Sequence, residues 1–136
     1  MAELQQLLQD NRHGTVATIK RDGRPQLSPV SFVFADNVIR FSTTDDRAKV
    51  KNLRRDPRVS FYVPAPGYDG YIVAEGTAEL SAVAADPNDD TVNALVDVYR
   101  SIAGEHPDWD EYRAAMVADK RLVVTIPVDR VYGWAR

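Results

Sequence analysis

The sequence contains no cysteine, and only two of its 136 residues are histidine. Without cysteine the chain cannot form a disulfide, a thiolate zinc site, an iron–sulfur cluster or a thiol nucleophile. His13 and His106 are too few for a multi-histidine metal site within one subunit. We therefore expect no bound metal.

Long hydrophobic runs are also missing, although 44% of the residues are apolar. No apolar run approaches the ~20 residues that a helix needs to cross a bilayer. The N-terminal residues lack the basic and then apolar order of a secretory signal peptide. These absences predict a cytoplasmic protein without a membrane partner, folded as one domain over residues 1–136.

The motifs of several enzyme classes are absent as well. There is no G-x-S-x-G around a serine nucleophile, no G-x-G-x-x-G after a strand and no G-x-x-x-x-G-K-[ST] phosphate loop. Paired carboxylates occur at residues 89–90 and 108–111, but both lie at predicted helix starts, where the helix dipole stabilises acidic side chains. No catalytic side chain is predicted. A redox cofactor would account for this, because the cofactor itself carries the hydride.

Positive charge is concentrated in one segment, since six of the 17 Lys and Arg residues lie at positions 47–58. The segment follows a predicted strand that ends in the hydroxyl residues 42–44, and it begins with Asp45 and Asp46 as candidate helix caps. A helix N-terminus presents free backbone N–H groups and the positive end of the helix dipole. With basic side chains beside it, this corner predicts a binding site for a phosphate.

A basic helix is more often simply a solvated surface. Arg54, Arg55 and Arg58 fit that interpretation, because they follow the first turn of the predicted helix. Three other polar residues form a group that starts at the first turn of the predicted helix, where an anion would bind: Arg47, Lys49 and Asn52. The net charge of −3 favours a small anionic ligand over a polyanion.

The chain alternates short strands with helices. Apolar alternation and turn residues predict strands at 15–20, 26–34, 38–43, 59–63, 71–80, 122–127 and 130–134. Helical spacing and capping residues predict helices over 3–11, in the basic segment, after a cap at 86–90 and from 107 onward. Six or seven antiparallel strands with inserted helices predict a mainly β, α+β fold, arranged as a small closed or half-open barrel.

Some positions inside these elements carry their own expectations. Pro29 cannot donate to a sheet ladder, so its strand should be an edge or bulged there. Gly76 predicts a bend or a close backbone contact. An apolar helix face predicts core or partner surface rather than a cofactor contact, and it consists of Trp109, Tyr112, Met116 and Val117.

The basic segment also carries a resemblance to a known family. The string T-x-x-x-R-x-K-x-x-N-L-x-x-D-P-R-V-S at residues 43–60 resembles the flavin-phosphate segment of the pyridoxamine 5′-phosphate oxidase-like split β-barrel superfamily. More narrowly, it is similar to an actinobacterial branch that binds the deazaflavin coenzyme F420. Further similarity to that branch lies at residues 23–28, 74–80, 103–106 and 131–133.

The resemblance implies a six- to seven-stranded antiparallel split β-barrel that forms a homodimer, with cofactor sites at the subunit interface. Arg47 and Lys49 would pair with the cofactor phosphate, and Asn52 would add a hydrogen bond. The other implied cofactor contacts are Ser42 and Thr43 at the phosphate and ribityl chain, Ser28, Pro29, Val30 and Ser31 beside the ring system, and Tyr71 at a ring-contacting position. The implied function is an oxidoreductase that transfers hydride from reduced coenzyme F420 to a conjugated small-molecule acceptor.

Two alternatives remain open at this point. The first is an enzyme of the same fold that uses FMN, since the phosphate end is nearly the same in both cofactors. Pyridoxamine phosphate oxidation itself is disfavoured, because Ala48 interrupts the oxidase-like order of phosphate-binding residues and the sequence stops at Arg136. The second is a non-catalytic barrel that binds nucleic acid, which would require stacking aromatic residues beside the basic segment.

Overall fold

The computed structural model describes residues 2–135. In chain order the elements are α1 (Ala2–Asp10), β1 (His13–Ile19), β2 (Pro25–Ser31), β3 (Val33–Ala35), β4 (Val38–Thr44), α2 (Ala48–Arg55), β5 (Arg58–Pro64), a 3₁₀ turn (Pro66–Tyr68), β6 (Gly70–Thr77), β7 (Glu79–Leu80), α3 (Asp90–Ala103), α4 (Trp109–Ala118) and β8 (Arg121–Ala135). All strand pairs are antiparallel. The predicted mainly β, α+β class is confirmed.

The strands form one curled sheet. Its order is β2-β1-β5-β6-β8-β4-β3, and β7 pairs with β8 off this path. The strands β2 and β3 lie at opposite ends of that order, yet only Phe32 separates them in the chain. The sheet must therefore curl until its two ends approach each other, which gives a half-barrel that is split beside β2. Because β2 is an end strand, the expectation that Pro29 lies on a sheet edge is confirmed.

The main core fills the curl of the sheet. Phe32, Phe41 and Phe61 are fully buried there, and the rings of Phe32 and Phe61 meet edge to face with their centroids 4.7 Å apart. Leu4 and Leu8 bury the apolar side of α1 in the same cluster, which is the amphipathic pattern that the sequence predicts. A second apolar cluster joins α3 and α4 to β8.

The helix α3 begins and ends where the sequence predicts, and α4 begins within two residues of its predicted start. Asp89 caps α3 by accepting a hydrogen bond from the backbone N–H of Val92, and Gly104 ends the helix with a φ of 84°. Asp108 caps α4 by accepting from the backbone N–H of Glu111. The helices that the structure describes are too short or too polar to cross a bilayer.

The predicted caps of α2 are wrong. Its N-cap residue is Arg47, which makes no side-chain capping bond. Asp45 instead forms an ion pair with Arg54 at 2.6 Å, and Asp46 accepts a 2.7 Å hydrogen bond from the hydroxyl of Thr44. Both carboxylates are thus used within the turn before the helix, and the first turn of α2 is left without an acidic side chain.

Strand boundaries differ from the prediction in three places. The predicted strand at 26–34 is divided into β2 and β3 because the N–H of Phe32 bonds to the carbonyl of Arg12. The strand at 71–80 ends at Thr77, since the N–H of Ala78 bonds to the carbonyl of Pro57. The last two predicted strands form one strand of 15 residues, β8. It runs past β6 with a register shift at Glu75/Gly76.

The close contact expected at Gly76 is present. A Cβ atom at this position would collide with the carbonyl oxygen of Pro127, so no side chain fits there. The glycine therefore lets β6 and β8 approach each other at the bulge.

Candidate functional site

A cavity of about 880 Å³ opens at the split of the half-barrel. One side is formed by the edge strand β2 and the end of β4, and the other by α3, α4 and the first residue of β8. The strand and turn residues that line it are Gln26, Ser28, Pro29, Val30, Ser31, Ser42, Thr43, Thr44, Arg47, Ala48, Lys49 and Arg121. The helical residues that line it are Val98, Tyr99, Ile102, Ala103, Tyr112 and Met116.

Three cations lie together at the polar end of this cavity. Arg47 is the N-cap of α2, Lys49 lies in its first turn, and Arg121 begins β8. Burial lowers the pKa of Lys49 below its usual value of 10.5, and the positive charges of Arg47 and Arg121 lower it further. In the part of the chain that the structure describes, none of the three forms an ion pair with a carboxylate. An anion would find positive charge here that is not taken up by an ion pair among the described residues.

The hydroxyls at the end of β4 complete this polar end. Ser42, Thr43 and Thr44 all line the cavity, and the chain continues from Thr44 into the turn that precedes α2. The first backbone N–H groups of an α-helix have no acceptor within the helix. Hydroxyls, helix N–H groups and cations therefore converge on one region, an arrangement that suits a phosphate group.

Arg121 shows most directly that this site is suited to an anion. One terminal nitrogen (Nη1) donates to the hydroxyl of Ser42 at 3.2 Å, while its Nε is buried and has no hydrogen-bond partner. A buried donor without an acceptor costs free energy. The residues present therefore fit an oxyanion, which would bring acceptor oxygens to this guanidinium.

The other end of the cavity is apolar and aromatic. Met116 and Val98 belong to the second core cluster and also line the cavity. The hydroxyl of Tyr112 donates to the carbonyl of Leu95 at 3.1 Å. Burial raises the pKa of Tyr112, and the positive charge of Arg121 opposes that rise. The helix face that the sequence assigns to the core thus has a second role, because Tyr112 and Met116 also form the cavity wall.

Comparison with known proteins agrees with this geometry. The family model described as pyridoxamine 5′-phosphate oxidase matches residues 1–135. The chain belongs to the pyridoxamine 5′-phosphate oxidase family. Its half-barrel is accordingly the split β-barrel of that family, as the resemblance of residues 43–60 predicts.

Solved structures show the same fold. The crystal structure of the conserved hypothetical protein Rv2991 from Mycobacterium tuberculosis is 30% identical, with a TM-score of 0.75, over 98% of this chain and 83% of that one. A structure named F420 reductase is 23% identical, with a TM-score of 0.71, over 94% of each chain. A FAD-binding protein from Mesorhizobium loti is 20% identical, with a TM-score of 0.68, over 97% of this chain and 90% of that one. The last two likenesses establish the fold alone.

Most of the sequence-predicted site residues meet in the cavity of this family member. The structure brings together eight of them: Ser28, Pro29, Val30, Ser31, Ser42, Thr43, Arg47 and Lys49. Their segments lie far apart in the sequence and meet because the curl of the sheet places β2 beside β4. The predicted assignment of these residues to a cofactor stays a prediction.

Asn52 and Tyr71 do not line the cavity. Asn52 is buried, and its side-chain nitrogen donates to Thr18 at 3.0 Å and to Gln26 at 2.7 Å. Tyr71 lies on β6 beside Tyr62, with the ring centroids 6.0 Å apart. Asn52 therefore supports the cavity wall through Gln26, whereas Tyr71 belongs to a different surface of the subunit.

Sequence reasoning missed Gln26, Arg121 and the helical wall. Gln26 precedes the predicted ring-contacting residues by two positions, so its place on the same strand face was a usable signal. Arg121 gave no such signal. Its place in the cavity depends on the pairing of β4 with β8, in which Thr44 lies opposite Arg121.

Proposed function

We propose that the protein is an oxidoreductase that transfers hydride from reduced coenzyme F420 to a conjugated organic acceptor. Membership of the pyridoxamine 5′-phosphate oxidase family supports an oxidoreductase with a flavin-type cofactor. The observation that carries the proposal is the set of unpaired cations at the N-terminus of α2, beside a cavity of about 880 Å³. A cavity of this size matches those that hold cofactors and drug-sized ligands.

Arg47 and Lys49 would hold the phosphate of the cofactor. Charge-assisted hydrogen bonds to phosphate are stronger than neutral ones, and the guanidinium of Arg47 can engage two oxygens at once. Ser42 and Thr43 line the same end of the cavity and would offer hydroxyls to the phosphate and the ribityl chain. These residues fix one end of the cofactor and so determine where the ring lies.

The ring would lie along β2. Ser28, Pro29, Val30 and Ser31 line the cavity there, and an edge strand has backbone groups that no further strand uses. When bound, the deazaflavin supplies the hydride. The protein's own part is to bind and orient the cofactor and to keep water from it, and the apolar wall that contains Tyr112 and Met116 serves the last purpose.

A homodimer is part of this proposal. Strand pairing places Tyr71 opposite Trp134, and Val73 opposite both Tyr62 and Tyr132, so these side chains share one face of the sheet. Tyr62, Tyr132 and Trp134 are exposed there, with 36–47% of their surface accessible. An aromatic face of this kind is typical of an interface between subunits. A second copy packed on it would bring its own residues towards the edge strand β2.

FMN is the alternative cofactor, because the cation set recognises a phosphate in either molecule. The FAD-binding protein from Mesorhizobium loti is a neighbour in fold. A nucleic acid fits the site less well, since two of the aromatic residues that flank the basic segment, Phe41 and Phe61, are fully buried and offer no stacking surface.

Titration of the purified protein with coenzyme F420, followed by the fluorescence of its ring, tests the proposal. We expect a saturable change that Lys49→Ala weakens and that Lys51→Ala leaves intact, because Lys51 is exposed on the same helix and does not line the cavity. A yellow preparation that releases FMN on denaturation would instead favour the alternative cofactor. Absence of saturable binding by either compound would refute both.

A further inference from the structure

We propose that Arg121 is a third phosphate-binding residue and that Ser42 positions it for that role. This inference rests on the proposed function, because it concerns the phosphate end of the same cavity. It assigns a cofactor contact to a residue of β8, far in sequence from the basic segment.

The backbone holds Arg121 beside the phosphate region. Arg121 pairs with Thr44, the last residue of β4. One residue earlier, the carbonyl of Lys120 accepts a 2.9 Å hydrogen bond from the N–H of Asp45. The start of β8 is therefore fixed to the same turn that leads into α2, which holds the backbone of Arg121 close to the N-terminus of that helix.

The side chain of Arg121 is anchored at only one point. The bond from its Nη1 to Ser42 is the one hydrogen bond it donates among the described residues, and its buried Nε has no partner. Five other arginines of the chain form ion pairs with carboxylates: Arg24, Arg54, Arg58, Arg100 and Arg130. Arg121 has a guanidinium of five N–H donors and lacks such a partner, so most of its donors are available to an oxyanion in the cavity.

The repulsion among Arg47, Lys49 and Arg121 also favours a bound anion at this site. Burial lowers the pKa of Lys49, and the positive charges of Arg47 and Arg121 lower it further. Three cations that repel one another beside a cavity cost free energy in the absence of a ligand. A phosphate between them would replace repulsion by attraction, because its charged oxygens can accept hydrogen bonds from these side chains.

Two pairs of ligands test this inference. Within each pair the ring is the same and only the phosphate differs: FMN with riboflavin, and the 5′-monophosphate of the deazariboflavin core of coenzyme F420 with that core itself. Affinities of both pairs are measured for the wild type, Arg121→Gln, Arg121→Lys and the control Lys120→Gln. Lys120 adjoins Arg121, carries the same charge and is exposed outside the cavity.

Arg121→Gln should lower the affinity for the phosphate-bearing ligand by about tenfold to a hundredfold, which corresponds to the loss of one charge-assisted hydrogen bond. The phosphate-free ligand should change less than about twofold, and Lys120→Gln should leave both affinities near the wild type. Arg121→Lys should lose less affinity than Arg121→Gln, because the positive charge remains although the paired N–H donors of the guanidinium are lost. Binding of the phosphate-free ligand also reports that each variant is folded.

The role of Ser42 is tested by a double-mutant cycle. Ser42→Ala should lower the affinity for the phosphate-bearing ligand in the wild-type background. The same substitution should have a much smaller effect in the Arg121→Gln background. Equal losses in both backgrounds would show that Ser42 acts without Arg121.

Failure of this inference is distinguishable from failure of the proposed function. If Arg121→Gln weakens both members of a pair equally, or neither, Arg121 does not bind the phosphate, whatever the wild type binds. If the wild type binds FMN and not F420, the F420 proposal fails, and the FMN and riboflavin pair still decides the role of Arg121. If the wild type shows no preference for phosphate in either pair, both proposals are overturned.

Discussion

Asn52 on α2 donates a 2.7 Å hydrogen bond to Gln26 on β2, 26 residues earlier in the chain. The same nitrogen reaches the buried hydroxyl of Thr18, and the side-chain oxygen accepts from Arg55 at 3.0 Å. A single amide thus ties the basic helix to two strands. Gln26 lines the cavity and Asn52 does not. Asn52 therefore affects the site indirectly, by holding the side chain of Gln26 in place.

Asn52→Ala should therefore act mainly on stability. The substitution leaves the buried hydroxyl of Thr18 and the amide of Gln26 without their partner, and we expect the free energy of unfolding to fall by about 1–3 kcal/mol. Urea denaturation of the variant and of the exposed control Lys51→Ala measures the difference. Unchanged stability together with a loss of cofactor affinity would show instead that Asn52 is a direct ligand, as the sequence predicts.

Removal of the two cavity-lining cations at the N-terminus of α2, Arg47 and Lys49, should strongly weaken recognition of the phosphate. In Arg47→Gln/Lys49→Gln two charge-assisted bonds are lost, which corresponds to roughly 3–6 kcal/mol of binding free energy if the two contributions add. The matched control is Lys51→Gln/Arg58→Gln. It removes the same charge from the same segment at exposed positions outside the cavity.

Calorimetric titration with FMN and coenzyme F420 compares the two double variants. A loss of similar size in both would show that the segment attracts the cofactor only through its total charge.

The lowered pKa of Lys49 predicts a pH dependence of folding. A lysine whose pKa is lower in the folded protein binds its proton more weakly there than in the unfolded chain. Its charge therefore destabilises the folded state at every pH below the lowered pKa, and that cost disappears as the pH rises to the unfolded value near 10.5. Lys49→Met should accordingly raise the free energy of unfolding at pH 7 in the absence of cofactor.

The increase in the free energy of unfolding of Lys49→Met should shrink as the pH is raised towards 10.5. Lys51→Met, at an exposed position, provides the comparison. Urea denaturation between pH 7 and pH 10 measures both variants. If Lys49→Met destabilises the protein at pH 7, packing of the lysine stem outweighs the cost of its charge.

Local patterns in the sequence predict most of the fold. Strand alternation, the glycine at 76, the capping segment at 86–90 and the helix start near 107 depend on neighbouring residues, and the structure confirms them. What local patterns cannot supply is which distant residues meet. Asn52 has the right spacing for a ligand at the start of a helix, yet the face it occupies is decided by Thr18 and Gln26 on other strands.

The same limit explains Arg121. A basic residue before a strand carries no local sign of a role, and its place in the cavity follows from a sheet pairing that spans more than half of the chain. The apolar spacing of α4 correctly placed Tyr112, Met116 and Val117 at the core, whereas Trp109 packs against Tyr99 outside that cluster. That spacing could not show that Tyr112 and Met116 are shared between that core and the cavity.

If the protein forms the homodimer proposed above, Trp134→Asp should make it a monomer. Trp134 is 47% exposed and lies opposite Tyr71 on the aromatic face of the sheet. An aspartate in the middle of a buried subunit interface would lose its hydration without gaining a partner, at a cost of several kcal/mol. The control is Tyr68→Asp. Tyr68 is 79% exposed in the 3₁₀ turn and outside that face, so this variant should stay dimeric.

Sedimentation velocity distinguishes the two assemblies directly. If both cofactor sites lie at the subunit interface, the Trp134→Asp monomer should also lose affinity for the ring of the cofactor. Riboflavin and the deazariboflavin core should then bind more weakly, because this loss does not depend on the phosphate. A monomer that binds the ring as tightly as the wild type would place the whole site within one subunit. A wild-type protein that sediments as a monomer would remove the dimer from the proposed function and leave the phosphate site to be judged by its own variants.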